Sequence, residues 1–228
     1  MSPVDITVVE DTAAAARVVG ERLAEQTQIG GHVVLTGGST PRLAYELAAA
    51  LAPDWSRVEL WWGDERCVPP DDARSNFGMA KEALLDRLEQ APAAVHRMQG
   101  ELGREAGADE YLLELIDAGT FDLVLLGLGP DGHVASLFPD SPTLEVTDRD
   151  VVGSESGFEP FVDRITLTLP RLCATRELLF LVTGDDKKDA VARVLAGEPS
   201  SDAPGSLARA AEGGVTRAVL DRTAAALL

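Results

Sequence analysis

Four short stretches of this chain combine residue types that can do chemistry with glycines that let a ligand come close. The first, Gly127-Leu128-Gly129-Pro130-Asp131-Gly132-His133, sets an aspartate two positions before a histidine inside a glycine turn. A histidine whose ring is oriented by a nearby carboxylate is a general base, so Asp131 and His133 are the candidate reacting pair. The glycine spacing also matches a dinucleotide fingerprint, but that motif opens a long helix, and Pro139 and Pro142 follow too soon for one. Asp131 would in addition face the pyrophosphate, so a nucleotide is rejected as the ligand. The two other histidines, His32 at a strand start and His96 in a short connection, read as structural.

The second stretch is Gly37-Gly38-Ser39-Thr40-Pro41, between an apolar run and an amphipathic one. Glycines admit a close ligand, the hydroxyls can cap, and proline suits a first helical turn, which together frame an anion site at a helix N-terminus. No Gly-Lys-Ser/Thr follows, so it is not a nucleotide P-loop. The third, Trp62-Gly63-Asp64-Glu65-Arg66 with the loop to Ser75-Asn76, offers in Arg66 a planar fork for a phosphate or carboxylate. The fourth is the pair Arg164 and Lys187, which with the Gly37 to Thr40 loop would make a phosphate pocket. Taken one at a time, each stretch also reads as ordinary structure: a strand-to-helix turn, a solvated charged loop, a hydrogen-bonded loop histidine, two surface cations.

These stretches gain meaning from the elements that carry them. Strand candidates are 6–9, 32–36, 58–62, 123–127, 165–169, 178–183 and 215–220, several of them apolar at consecutive positions, as strands buried on both faces are. Helix candidates are 12–26, 42–51, 76–88, 105–118, 187–195 and 222–227, with Asp11 and Ser75 where N-caps belong. The alternation predicts an α/β fold of three layers, Rossmann-like, with a mostly parallel open sheet and helices on both faces. Ligands of such sheets bind beyond the carboxyl ends of the strands, where all four stretches fall. Segment 139–160 reads as an excursion over the surface and 198–206 as a second loop; neither is a boundary, so residues 1–228 are taken as a single domain.

Composition narrows the ligand. The 228 residues hold 20 Lys plus Arg against 38 Asp plus Glu, a net charge of −18. A nucleic acid or an anionic membrane surface needs a basic footprint, so neither is a partner on this reading, and any anionic ligand must be held by a few local cations. The first residues lack a signal peptide's basic and apolar regions, and no apolar run approaches the length of a membrane span, which points to the cytoplasm. Cys67 and Cys173 have neither disulfide-framework nor metal-ligand spacing and read as partly buried small hydrophobes.

The order and spacing of Thr36 to Arg42, Trp61 to Pro69, Ser75-Asn76, Gly127 to Pro139, Arg164 to Pro170 and Val182 to Lys187 resemble the 6-phosphogluconolactonase family. The resemblance implies a fold shared with glucosamine-6-phosphate isomerase/deaminase proteins and hydrolysis of 6-phosphoglucono-1,5-lactone, with a sugar-phosphate lactone as partner and no metal or organic cofactor. It makes His133 the base with Asp131 beside it, gives Arg66 to substrate or phosphate contacts, with either Arg66 or loop amides meeting the charge on the carbonyl oxygen, and lines a phosphate site with Gly38, Ser39, Thr40, Arg164 and Lys187, the last in preference to Lys188. Gly37, Arg42, Asp64 and Asn76 complete the binding set that it implies. A catalytic serine is not needed, and Ser136 lacks a nucleophile-elbow context. Pro204-Gly205-Ser206 departs from the proline, alanine and small residue usual there. A deaminase-like enzyme is the alternative on the same fold, disfavoured because Phe138 stands where those proteins carry a glutamate and Arg66 where they carry a tyrosine; a non-catalytic sugar-phosphate sensor is the other. The sequence sets no oligomeric state.

Overall fold

In the computed structural model, which describes residues 3–116 and 118–228, seven strands lie side by side and all run parallel. In spatial order they are β1 (Val4–Val9), β10 (Val215–Asp221), β9 (Thr175–Val182), β6 (Phe121–Leu126), β2 (Gly31–Leu35), β3 (Val58–Trp62) and β5 (Ala94–Val95). Successive side chains of a strand point to opposite faces, and the consecutive apolar residues therefore feed two separate cores. Val33, Leu35, Leu60, Trp62, Leu123 and Leu125 enter one of them, and Val34, Trp61, Val124 and Leu126 the other. Helices α1 (Thr12–Ile29), α2 (Ser39–Leu51) and α3 (Asn76–Ala83) supply the first core, while α4 (Arg104–Leu115), α5 (Leu169–Cys173) and α6 (Lys188–Val191) supply the second. Asp11 caps α1 by accepting from Ala14 N–H at 2.8 Å, and Ser75 caps α3 by accepting from Gly78 N–H at 2.9 Å.

Chain order locates the crevice. From β2 the chain runs outward to β3 and β5, returns to β6 beside β2, and then moves the other way to β9 and β10. The loops leaving β2 and β6 part in opposite directions, which opens a gap at their carboxyl ends.

A second, antiparallel sheet stands over this gap: β4 (Asp64–Arg66), β8 (Arg164–Leu167) and β7 (Val151–Ser154), with β8 in the middle. The strand expected at 165–169 is β8 and so lies outside the parallel sheet. Every residue of β8 is buried, and a run buried on both faces reads the same in either setting. Segment 139–160 is likewise more than a surface excursion, since it contributes β7 and the buried Thr143 and Val151. Segment 198–206 ends in the buried Ala203, Pro204, Gly205 and Ser206. The helix expected at 222–227 is a series of turns. That expected at 187–195 is a helical stretch in three parts, Asp185–Lys187, α6 and Ala192–Ala196.

Two buried tyrosines fix the strand ends nearest the gap. Tyr45 Oη on α2 accepts from Thr36 N–H at 2.9 Å and donates to Thr36 O at 2.7 Å. Tyr111 Oη on α4 does the same for Trp62, at 2.9 and 3.2 Å. Burial pushes both phenols well above their ordinary range, against a backbone hydrogen bond that lowers them, so each stays a neutral donor and acceptor. Each hydroxyl completes the backbone pairing of one residue at a strand end. Tyr45→Phe leaves both Thr36 groups buried without that partner and is expected to lower the unfolding free energy by about 1–3 kcal/mol. Urea denaturation reads this directly, and a variant as stable as the parent would show that the clamp contributes nothing.

Candidate active site

The gap is a cleft of about 460 Å³ walled by the loops after β2, β6 and β9 and by the small antiparallel sheet. At its first wall α2 begins after Gly38, whose φ is 120°, and no side chain caps it. The N–H groups of that first turn are left for a ligand. Ser39 and Thr40 line the cleft but do not cap; Thr40 Oγ1 instead meets Thr183 Oγ1 at 2.7 Å, which joins this corner to the end of β9. Gly37 must lack a side chain, because a Cβ there would overlap Asn76 Oδ1.

The second wall is the turn after β6. His133 Nδ1 lies 2.6 Å from Asp131 Oδ1, which also accepts the His133 backbone N–H at 3.1 Å. A Cβ on Gly129 would overlap His133 Nδ1, so the glycine makes the room in which the ring sits. Burial works to raise Asp131, but its hydrogen bonds and charge interaction with His133 outweigh it and hold the carboxyl below its ordinary value. The ionised carboxylate only accepts, so Nδ1 is the donor in this contact. Phe138 and Phe158 flank the imidazole, with centroids 4.8 and 5.5 Å away. The Pro204-Gly205-Ser206 turn braces the wall from behind: Gly205 N–H donates to Gly132 O at 2.9 Å, and a Cβ on Gly205 would come within 3.0 Å of Leu128 and 3.1 Å of Val134.

Across the cleft, Arg66 on β4 and Arg164 on β8 are direct cross-strand partners. Arg66 Nη1 donates to Asn76 Oδ1 at 2.6 Å and Arg74 O at 2.8 Å, and Arg164 Nη2 donates to Pro160 O at 2.8 Å and Phe158 O at 3.3 Å. The Nε of each is buried without a partner, and neither guanidinium forms an ion pair with an acid among the described residues. Like charges set opposite on paired strands repel, and the nearby carboxylates of Asp64 and Glu65 offset this at Arg164. Burial also lowers Arg164 below its ordinary value.

Glu65, given no role of its own in the sequence analysis, braces the Arg66 side of this pair. Its carboxylate, 2% exposed, accepts from the N–H groups of Arg66, Asn76 and Phe77 at 2.7, 2.7 and 2.8 Å and from Ser75 Oγ at 2.9 Å. Burial pushes the carboxyl up, with these four donors opposing. Its only signal was strand alternation, which turns Glu65 away from the side that Asp64 and Arg66 share. Asp64 lines the cleft and accepts from Ser136 Oγ at 2.6 Å and Asn76 Nδ2 at 3.2 Å.

Lys187 lines the cleft, 3.4 Å from Asp186, whereas Lys188 pairs with Asp185 at 2.9 Å. Arg42, expected in the binding set, does not line the cleft. The turn of α2 carries its guanidinium to the outer surface, where Glu46 and Glu82 lie 3.5 and 3.3 Å away. His32 and His96 gather around Trp61, whose Nε1 donates to His32 Nδ1 at 3.1 Å and whose ring stacks on His96 at 3.7 Å. Burial pushes the half-buried Cys67 thiol up to about 11. Among the described residues no three His, Cys, Asp or Glu side chains gather as a metal site.

The profile described as glucosamine-6-phosphate isomerases/6-phosphogluconolactonase matches residues 8–217. The chain is 42% identical over 219 residues to the 6-phosphogluconolactonase of Streptomyces coelicolor, across 86% of this chain and 83% of that one. It is 38% identical over 241 residues to the 6-phosphogluconolactonase of Mycobacterium leprae, across 97% of each chain. The crystal structure of 6-phosphogluconolactonase from Thermotoga maritima superposes with a TM-score of 0.84 at 32% identity, covering 95% of this chain and 99% of that one.

Glu65→Gln puts an amide donor where only acceptors fit and is expected to cost about 1.5–3 kcal/mol of stability. Chemical denaturation checks it, and an unchanged midpoint would contradict the bracing role.

Proposed function

The chain belongs to the glucosamine-6-phosphate isomerase/6-phosphogluconolactonase family, as a 6-phosphogluconolactonase, and from that premise we propose how its cleft opens 6-phosphoglucono-1,5-lactone to 6-phosphogluconate. His133 Nε2 takes a proton from water as the water oxygen attacks the lactone carbonyl carbon. Asp131 holds the ring and stabilises the imidazolium that forms. The negative charge that develops on the carbonyl oxygen is met by Arg66. When the ring C–O bond breaks, the departing oxygen takes the proton back from Nε2, and the new carboxylic acid ionises. Asp64, fixed by Ser136 and Asn76, contacts the sugar beside Arg66.

The phosphate sits at the open N-terminus of α2, against Gly37, Gly38, Ser39 and Thr40, with Arg164 and Lys187 supplying charge. Held there, it aligns a reacting carbon at the far end of the substrate, and orientation contributes to rate. The observation that carries these assignments is the pair of facing arginines that form no ion pair among the described residues of a chain of net charge −18. The residues act as one domain on this reading, and a cytoplasmic setting is part of the same proposal, resting on the substrate class.

Because the lactone also hydrolyses unaided, the test is initial rates with lactone generated in place. His133→Ala is expected to keep 6-phosphogluconate binding and lose about 10²- to 10⁴-fold in turnover; near-normal turnover would remove His133 from the mechanism. Arg164→Ala or Lys187→Ala should weaken use of the phosphorylated lactone selectively. Equal losses on the unphosphorylated lactone would contradict the phosphate site.

A further inference from the structure

Two glycine corners meet at the cleft, and they are finished differently. The one at Gly38 is left without a cap. The one at Gly184, between β9 and the helical stretch that carries Lys187, is filled by an anion of the protein's own. Both carboxylate oxygens of Asp221, the last residue of β10, accept from Gly184 N–H, at 3.2 and 3.1 Å. The same carboxylate accepts from Thr12 Oγ1 at 3.2 Å, Thr223 Oγ1 at 2.9 Å and Ala224 N–H at 2.8 Å. Asp221 is 4% exposed; burial works to raise it, but these donors prevail and hold it below its ordinary value, so the buried group stays charged.

The grip on Gly184 reaches the cleft in two directions. Gly184 has a φ of 103°, and its carbonyl accepts from Lys187 N–H at 3.1 Å, so the turn that presents Lys187 is built on the residue that Asp221 holds. On the other side, its neighbour Thr183 bonds Thr40 at 2.7 Å in the first turn of α2. Asp221 itself does not line the cleft.

We propose that Asp221 is a positioning residue for the substrate's phosphate: it occupies the Gly184 corner, leaving the Gly38 corner to the phosphate, and it sets Lys187 and Thr183 toward that seat. The proposal rests on the phosphate assignment above.

The experiment is initial-rate kinetics of Asp221→Asn on phosphorylated and unphosphorylated gluconolactone, with inorganic phosphate as inhibitor. KM for the phosphorylated lactone should rise about tenfold with kcat kept within about twofold, as when a group that orients a ligand-binding residue is altered. Phosphate should inhibit correspondingly less, and the unphosphorylated lactone should be used as before. Equal losses on both lactones, or a lowered Tm with unchanged KM, would make Asp221 a structural brace and overturn the proposal. Lys187→Ala measured alongside separates two failures. If it too leaves phosphate discrimination intact, the phosphate assignment is wrong; if it abolishes discrimination and Asp221→Asn does not, only the role of Asp221 falls. Should Asp221→Asn fail to fold, Thr183→Val cuts the link to Thr40 while leaving Asp221 in place. An unchanged KM for the phosphorylated lactone in that variant would overturn the proposal.

Discussion

Two guanidinium groups facing each other across β4 and β8 are an electrostatic cost that the rest of the site is built to sustain. Among the described residues neither forms an ion pair, and each is held by neutral acceptors: the amide oxygen of Asn76 and the carbonyl of Arg74 for Arg66, the carbonyls of Phe158 and Pro160 for Arg164. Those acceptors need anchoring in turn. Glu65 supplies it for one side, tying β4 to the start of α3 with a single buried carboxylate. The antiparallel sheet exists above the parallel one because only paired strands bring residues 66 and 164, far apart in the chain, into direct register. A free arginine pair on loops would relax apart; on strands it cannot.

The cleft joins two kinds of corner to this pair. The Gly38 corner begins α2 without a side-chain cap, and the His133 turn holds an imidazole whose Nδ1 meets Asp131. They line one cleft because β2 and β6 are neighbours at the point where the sheet reverses its direction of winding. Tyr45 and Tyr111 keep the ends of β2 and β3 from fraying there, each from a helix on a different face, so the rim of the sheet is secured by both layers at once.

How much of this was legible in the sequence follows from how local each feature is. Asp131, His133 and the glycines around them lie within one turn, and the strands that carry the loops announce themselves by apolar runs. Arg42 came into the expected set with the stretch that carries the resemblance, and a shared stretch says nothing about which side of α2 a long side chain takes. Residues 165–167 misled because burial on both faces is common to a parallel core strand and to the middle of a small antiparallel sheet. Glu65 and Asp221 went unread for one shared reason: a carboxylate that binds backbone N–H groups leaves no trace in the identity of its partners. The turn at Gly184 lies 37 residues from Asp221, and any residue except proline could donate there.

The pairing of β1 with β10 joins Val4 to Thr216 and Val9 to Asp221, and it has a consequence for how the molecule is made. Among the described residues β1 has one neighbour in the sheet, β10, which lies far from it along the chain. Its apolar Ile6 and Val8, 40% and 50% exposed in the fold, have no backbone partner until β10 docks beside them. Contacts of such long sequence separation form slowly and leave strand edges open meanwhile. The edge of the sheet thus waits on the docking of β10, and the same docking places Asp221 beside Gly184.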